Sequence, residues 1–303
     1  MDQSTLRLYL LHARYELGNR LGTSFQDFFA ALASHRWGTD FEARRAQGSL
    51  GDGKCDGFHV PDGRVFQCYA PRRMEARELL AKIREDFAGA KAEFGSRMRG
   101  WTLVHNDDEG LPKEAHDLII RLREDNPALS ITVTGPEQLL QLVAELEPTS
   151  LMILLPAVPA PREIRRVQFA EIDALIKELD DLDVPVDGDC PIIEPSPEKL
   201  AHNGFASHVE EALKQGHLGA AQFERYFADT SRADSGNRVA ARFKRVYADC
   251  RREGLGSDET FYALAEAVGG LAGSKARSAT IIGLLAYLFH TCEVFENPPA
   301  MVA

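Results

Sequence analysis

Two neighbouring segments decide the fold, Gly51-Asp52-Gly53-Lys54-Cys55-Asp56-Gly57-Phe58 and Val65-Phe66-Gln67-Cys68-Tyr69-Ala70. Between them stands Pro61-Asp62-Gly63, a turn sequence, so the residues on either side of it predict the two strands of a β-hairpin. Side chains alternate along a strand, which puts Gln67 and Tyr69 on one face of the second strand. The hairpin therefore brings polar side chains close to the acidic residues of the glycine-rich loop before it.

The composition is that of an ordinary soluble protein with room for two domains. The chain has 303 residues, of which 44% are hydrophobic and 27% are charged. No apolar run is long enough for a membrane span, and the N-terminus lacks the basic region of a signal peptide. Five cysteines without metal-ligand spacing favour a reducing compartment and argue against zinc. We therefore expect a cytoplasmic protein that does not associate with membranes.

Charge is unevenly distributed along the chain. A net charge of −11 opposes non-specific binding of nucleic acid by the chain as a whole. Residues 64–99, however, contain nine basic and five acidic residues. Within this cluster the predicted DNA contacts are Arg64, Arg72, Arg73 and Arg77. The alternative is a solvated helix face with ion pairs such as Glu78–Lys82.

The pattern of hydrophobic residues predicts an α/β domain over residues 1–160 and an all-α domain over residues 161–303. In the first domain strands alternate with helices, which indicates a mixed sheet flanked by helices. Prolines at positions 156, 159 and 161 indicate a linker. The second domain is predicted to contain one long surface loop, Val184–Pro197, and six helices. The predicted helices are Phe169–Leu182, His202–Lys214, Ala220–Phe227, Asn237–Glu253, Asp258–Val268 and Ala276–Glu293.

The glycine-rich segment has nearly the spacing of a nucleotide-binding loop. Residues 48–55 nearly match the GxxxxGK[ST] pattern, but Cys55 replaces the hydroxyl that would bind magnesium. That motif also requires a buried strand before it and a helix after it. Here the preceding residues 44–47 are polar and the following residues predict a strand. The context therefore excludes a phosphate-binding loop.

Phosphodiester hydrolysis fits the segment better. Asp52, Asp56 and Gln67 can supply the oxygen ligands that Mg²⁺ or Mn²⁺ requires, and Lys54 can supply a positive charge beside the attacking water. The alternative is that the aspartates and glycines only build tight turns, since Asp-Gly pairs commonly do so. Further along, His105 and Asn106 end a buried strand, where we favour a helix cap over a ligand site.

The arrangement of the acidic loop, the Asp56-Gly57 pair and the Gln67-x-Tyr69 strand resembles the restriction-endonuclease-like superfamily with the PD-(D/E)xK motif. It is closest to the branch in which glutamine replaces the second acidic residue. The resemblance implies a metal-dependent nuclease in which Asp56 and Gln67 bind the metal. Gln26 or Asp27 would stand where the family has a helical glutamate. The catalytic lysine is replaced by Tyr69, and Lys54 is a candidate to substitute for it.

Three C-terminal segments resemble effector proteins of ABC-type three-component conflict systems, such as Lamassu-like phage defence: residues 199–204, 226–227 and 284–296. The resemblance implies a helical module that docks with an SMC-like ABC ATPase and a small middle component. The two resemblances together predict a defence effector that cuts DNA under the control of the ATPase. The alternative is an adaptor whose nuclease fold no longer cuts and which bridges DNA and the ATPase complex. Homo-oligomerisation is left open.

Overall fold

The computed structural model describes residues 1–44, 55–180, 198–229, 233–291 and 294–298. The chain divides into two compact units. One comprises residues 13–154, which we call the α/β unit, and the other comprises residues 1–12 and 155–303, which we call the helical unit. The division falls within the first helix.

The α/β unit contains five strands and several helices. In chain order its elements are α1 (Gln3–Asn19, from residue 13), α2 (Thr23–Trp37), the 3-10 helix Gly38–Asp40, β1 (Phe41–Ala43), β2 (Gly57–His59), β3 (Arg64–Tyr69), α3 (Ala76–Phe94), the 3-10 helix Gly95–Arg97, β4 (Gly100–His105), α4 (Lys113–Asp125), β5 (Ser130–Thr134), α5 (Pro136–Ala144) and α6 (Pro148–Leu154). The predicted hairpin is present as β2 and β3.

The five strands form one mixed sheet in the order β1-β2-β3-β4-β5. The pairs β1–β2 and β2–β3 are antiparallel, whereas β3–β4 and β4–β5 are parallel. Helices α3 and α4 are the crossover connections that parallel neighbours require. The predicted α/β class with a mixed sheet is therefore confirmed. Strand β1 was not predicted, because three residues are too few to show a period of two.

Apolar side chains cover both faces of the sheet. On one face Trp101 of β4 meets the ring of Phe87 of α3 at 5.6 Å between centroids, within the cluster that includes Val65 of β3. On the other face Phe66 of β3 stacks on Trp37 of α2 at 5.4 Å. The sheet is thus sandwiched between α2 and α3, with the central strand β3 buried on both faces, as its near-continuous apolar sequence requires.

Gly57 is needed for packing and not for a turn. It is the first residue of β2, and a Cβ atom built on it would overlap the ring of Phe41 in the neighbouring strand β1. The turn of the hairpin is made instead by Gly63, whose φ of 59° favours glycine. The Asp56-Gly57 pair therefore does not form the tight turn that the alternative interpretation of this segment assumed.

The helical unit contains helices and no strand within its described residues. Besides the start of α1 its elements are α7 (Pro161–Arg165), α8 (Phe169–Asp180), α9 (Glu198–Asn203), α10 (Ser207–Phe227), α11 (Ala233–Glu253), α12 (Ser257–Glu266) and α13 (Lys275–Thr291). Helix α13 is almost completely buried from Ser278 to Phe289. Still, no helix in the described ranges is both long and apolar enough to cross a bilayer. The predicted loop Val184–Pro197 lies outside the described residues.

The predicted break between helices at residues 214–220 is wrong. Helix α10 runs without interruption from Ser207 to Phe227, and the real break is at Gly204, whose φ is 61°. The two glycines within the predicted break serve close packing. A Cβ atom on Gly216 would lie 2.5 Å from the carbonyl oxygen of Ile282 in α13, and one on Gly219 would lie 2.7 Å from that of Ile164 in α7. These glycines let the helix backbones approach closely.

Candidate functional site

Asp56 is held at the start of β2 by the neighbouring strand β3. Its backbone N–H donates to the carbonyl oxygen of Phe66 at 2.9 Å, and its Oδ2 accepts the backbone N–H of Cys68 at 2.7 Å. These two bonds bracket Gln67, so Asp56 lies beside that residue across the hairpin. Only 6% of Asp56 is exposed. A carboxylate that accepts a backbone N–H is oriented by that bond.

Gln67 carries a polar atom that the surrounding structure does not satisfy. The residue is 2% exposed, and its Oε1 has no hydrogen-bond partner among the described residues. Leaving such an atom without a partner costs about 1–3 kcal/mol, so a buried orphan acceptor in a native protein needs an explanation. Because Gln67 is the residue opposite Asp56 across the hairpin, a ligand that binds both side chains is one such explanation.

The donor chemistry of this pair fits a hard divalent cation. A carboxylate and an amide carbonyl are both oxygen ligands, and Mg²⁺ typically uses one or two protein carboxylates together with water and substrate phosphate. In the part of the chain that the structure describes, no cluster of three or more His, Cys, Asp or Glu side chains could hold a metal by itself. Asp52 and Lys54, the other predicted members of the site, lie outside the described residues. Asp56 and Gln67 are therefore only part of the predicted ligand set.

Tyr69 is at the position where the nuclease pattern has lysine, and its environment keeps it uncharged. Burial raises the pKa of the Tyr69 phenol, and the negative charge of Glu78 at the start of α3 raises it further. The side chain is partly exposed at the carboxyl end of β3. A neutral phenol cannot supply the positive charge of the missing lysine. If Tyr69 takes part in chemistry, it does so as a hydrogen-bonding group.

The two cysteines beside the site are not activated. Burial raises the pKa of the Cys55 thiol to about 12. It also raises the pKa of the Cys68 thiol well above its ordinary value, and the charge of Asp56 adds to the effect. Nucleophilic attack and binding of soft metals both require the thiolate. These cysteines therefore act as small buried residues.

The four arginines predicted to contact DNA do not form one patch. Arg64 begins β3, and its guanidinium donates to Thr102 Oγ1 at 3.0 Å and to Thr132 Oγ1 at 3.1 Å. The other three follow the end of β3, about 17 Å away along the strand. These are Arg72, Arg73 and Arg77, all of them exposed. Arg64 is thus committed to the sheet, whereas the group at the carboxyl end of β3 is accessible to a phosphate backbone.

The residues that end β4 serve as a helix cap. Asn106 Nδ2 donates to the carbonyl oxygens of Leu17 and Arg20 at 2.9 and 2.7 Å, at the end of α1. The Nδ1 of His105 accepts the backbone N–H of Asp107 at 3.3 Å, and burial lowers the pKa of His105 to about 4. The histidine is therefore neutral near pH 7. These contacts agree with the favoured interpretation of this segment as a cap.

Helix α3 contains a buried carboxylate, that of Asp86, which the sequence did not predict. Asp86 has no exposed surface, and Lys82 Nζ lies 3.0 Å from it. The predicted Glu78–Lys82 pair is not among the ion pairs of the described residues. The overlooked signal is the position of Asp86 within the apolar stripe of α3, three residues after the buried Ile83. The predicted helical candidates Gln26 and Asp27 lie in the first turns of α2, and Asp27 is exposed.

In the helical unit the structure brings together two of the segments that resemble defence effectors. The buried Lys199 Nζ of α9 donates to the carbonyl oxygens of Phe289 and Val294, at 2.7 and 2.9 Å. Asn203 exchanges two hydrogen bonds with the backbone of Glu296, at 2.8 and 3.0 Å. Residues 199–204 therefore pack together with Phe289 and with residues 294–296.

Comparison with known proteins gives one match. Residues 170–296 match the family model of C-terminal domain 10 of the ABC-three component (ABC-3C) systems. No significant match was found among the curated proteins, nor among the solved structures. The matched range contains both segments that Lys199 and Asn203 join. The match supports a role in a bacterial defence system of this class, and such a system implies an ABC ATPase as a partner component.

Proposed function

We propose that this chain, whose residues 170–296 match a domain of ABC-three component systems, is the DNA-cutting effector of such a system. In this proposal the α/β unit is a Mg²⁺- or Mn²⁺-dependent endonuclease with a restriction-endonuclease-like fold. The helical unit docks with an SMC-like ABC ATPase and a small middle component, and these partners control cleavage. The match to the family supports the assignment to the system, and the geometry around Asp56 supports the enzymatic part.

One observation carries the enzymatic part of the proposal, namely the orphaned Oε1 of Gln67, the residue opposite Asp56 across the hairpin. A glutamine kept only for packing would leave this oxygen unsatisfied at a cost in stability. A cation would satisfy it and would explain why a polar side chain is buried on the central strand. The mixed sheet with helices on both faces agrees with the fold that the resemblance implies.

Each residue of the proposed site has a defined role. The Cys68 amide fixes the Asp56 carboxylate, and Gln67, opposite Asp56 across the hairpin, would offer its side-chain carbonyl oxygen. Asp56 and Gln67 would hold the cation, with Asp52 as a further ligand. When bound, the cation supplies a Lewis acid that activates water and offsets the charge developing on the phosphate. Lys54 would add a positive charge that Tyr69 does not have.

The decisive experiment compares two matched aspartate variants of the partnered complex. Asp56→Asn keeps an oxygen that can accept the Cys68 amide but removes the charge, so it separates metal binding from folding. Asp125→Asn, at the exposed end of α4, is the control. We expect Mg²⁺-dependent plasmid cleavage by the parent complex and by Asp125→Asn, and a loss of at least about a hundredfold in Asp56→Asn. Equal cleavage by both variants would refute the proposal.

A second candidate function is supported by Tyr69. Burial and the negative charge of Glu78 raise the pKa of the Tyr69 phenol, so Tyr69 lacks the positive charge of the lysine that hydrolysis uses. This favours an adaptor that keeps the fold, binds DNA and bridges it to the ATPase complex without cutting. Calorimetric titration of the full chain with Mn²⁺ distinguishes the two functions. The nuclease should bind Mn²⁺ in a manner that Asp56→Asn abolishes, whereas the adaptor should show no such binding.

A further inference from the structure

The helical unit contains a pocket that the proposed nuclease function does not use. It has a volume of about 320 Å³ and lies between α7, the start of α8 and the start of α13. Three cationic side chains line it: Arg162, Arg166 and Lys275. Its volume is at the lower end of the range of pockets that bind small molecules.

The three cations have no partner within the described protein. No hydrogen bond or ion pair joins the side chains of Arg162, Arg166 or Lys275 to any described residue. By contrast, Arg277 of α13, two residues after Lys275, forms a two-pronged ion pair with Glu178 of α8 at 2.7 and 3.0 Å. In a chain with a net charge of −11, carboxylates are abundant. Three unpaired, solvent-exposed cations around one concavity therefore leave a region of positive potential on the surface of an acidic protein.

The two acidic residues of the pocket are already engaged by backbone amides. Glu163 accepts the N–H of Ala160 at 2.6 Å, which caps the start of α7. Glu171 accepts the N–H of Gln168 at 2.7 Å, which caps the start of α8. Each carboxylate therefore has an oxygen bound to the protein, and neither forms an ion pair with the cations of the pocket among the described residues. The positive charge of the pocket is only partly compensated.

From this arrangement we infer that the pocket binds a small ligand that carries phosphate groups, of the size of a nucleotide. Two guanidinium groups offer paired donors that match phosphate oxygens, and an ammonium group adds a point charge. Ala276 and Ala279 add a small apolar surface to the wall. Lys275 and Ala276 open α13, and the first amides of a helix have no acceptor within the helix. A concave pocket of this size suits a small ligand better than a polymer.

The inference can be tested on the full chain without its partners, by calorimetry with ATP, ADP and inorganic pyrophosphate. The double variant Arg162→Gln/Lys275→Gln removes two cations that line the pocket. Arg165→Gln is the matched control, because Arg165 is on the same helix α7, is exposed and does not line the pocket. We expect the double variant to weaken binding by at least about tenfold, as loss of charge-assisted hydrogen bonds implies, and the control to bind like the parent.

The three probes distinguish a nucleotide ligand from a ligand that is recognised by its phosphate groups alone. If ATP and ADP bind more tightly than pyrophosphate, the ligand is a nucleotide; if pyrophosphate binds as tightly, the phosphate groups alone are recognised. Either result supports the inference, provided that the double variant weakens binding and the control does not. Absence of binding by all three probes at millimolar concentration, or equal binding by the double variant and the parent, would overturn it. Because the inference does not depend on Asp56, the Asp56→Asn variant should bind these probes normally.

Discussion

Replacing Gly216 by alanine tests how closely α10 and α13 pack. Alanine is the better helix former by about 1 kcal/mol, so helix propensity alone predicts that the variant is more stable. The structure predicts the reverse. The new Cβ would lie 2.5 Å from the Ile282 carbonyl oxygen and 2.6 Å from the Ala286 Cβ. Both neighbours belong to the buried helix α13, and one of the atoms is backbone, so neither can rotate away.

The size of the effect follows from these distances. To bring the Cβ to an allowed distance, the two helices must separate by roughly 0.5 Å or more along their contact, in a core packed at the density of a crystal. Overpacking of this kind costs about 1–3 kcal/mol. After subtraction of the propensity gain, we expect a net destabilisation of up to about 2 kcal/mol. At the upper end this corresponds to a factor of about 30 in the opening equilibrium of the helical unit.

Hydrogen–deuterium exchange read out by peptide is the suitable assay, because a two-unit chain need not unfold in a single step. Peptides from α10 and α13 should exchange faster in Gly216→Ala than in the parent. Gly18→Ala is the control, since a Cβ atom there meets only the end of the Arg14 side chain at 3.7 Å. The control should not speed exchange in any peptide. If Gly216→Ala slows exchange in α10, the reasoning about the helix contact is refuted.

Three further predictions concern single side chains. Lys199→Met should destabilise the helical unit by at least about 2 kcal/mol in urea unfolding, because two buried carbonyl groups lose their donor; an unchanged midpoint would contradict this. Arg64→Met should lower the stability of the α/β unit by about 1–3 kcal/mol while leaving the salt dependence of DNA binding unchanged; a reduced salt slope would instead show that Arg64 contacts phosphate. Burial in the folded state lowers the pKa of His105 to about 4, compared with an ordinary value of 6.5. Between these two pH values the unfolded chain binds a proton at His105 that the folded chain does not, so the stability should fall as the pH drops from 6.5 towards 4. That loss is about 2 kcal/mol at pH 5, and urea midpoints at pH 7 and pH 5 should show a smaller fall for His105→Gln than for the parent.

Elements with a clear period were predictable from the sequence. Strand β5 (Ser130–Thr134) is an example, because a short β-branched run followed by a glycine and a proline is typical of a strand. The hairpin of β2 and β3 was predictable from its turn residues. Neither the short strand β1 nor the continuity of α10 could be predicted in this way. The first is too short for a pattern, and the second depends on Gly216 facing a helix some 60 residues further along the chain.

In the candidate site, too, some features could be predicted from the sequence and others depend on the packed structure. Alternation along the hairpin was enough to expect Gln67 close to Asp56. That Oε1 of Gln67 is buried without a partner is a property of the packed structure, and no residue pattern indicates it. Likewise, the sequence marks Arg64 only as one cation in a basic cluster. Its use inside the sheet depends on the register of β4 and β5, which start 36 and 66 residues later.

The position of Arg64 also has a consequence for how the sheet assembles. Its guanidinium reaches Ser130 Oγ of β5 at 2.9 Å as well as the threonine of β4. A slip of β5 by one residue would turn its hydroxyl groups to the opposite face and leave the guanidinium donors without acceptors. The same slip would also move Ile131 and Val133 away from the buried cluster in which they pack, so the polar and the apolar contacts specify one register. Arg64 therefore penalises misaligned strands, so that its side chain helps the chain to select a single alignment when the parallel strands come together.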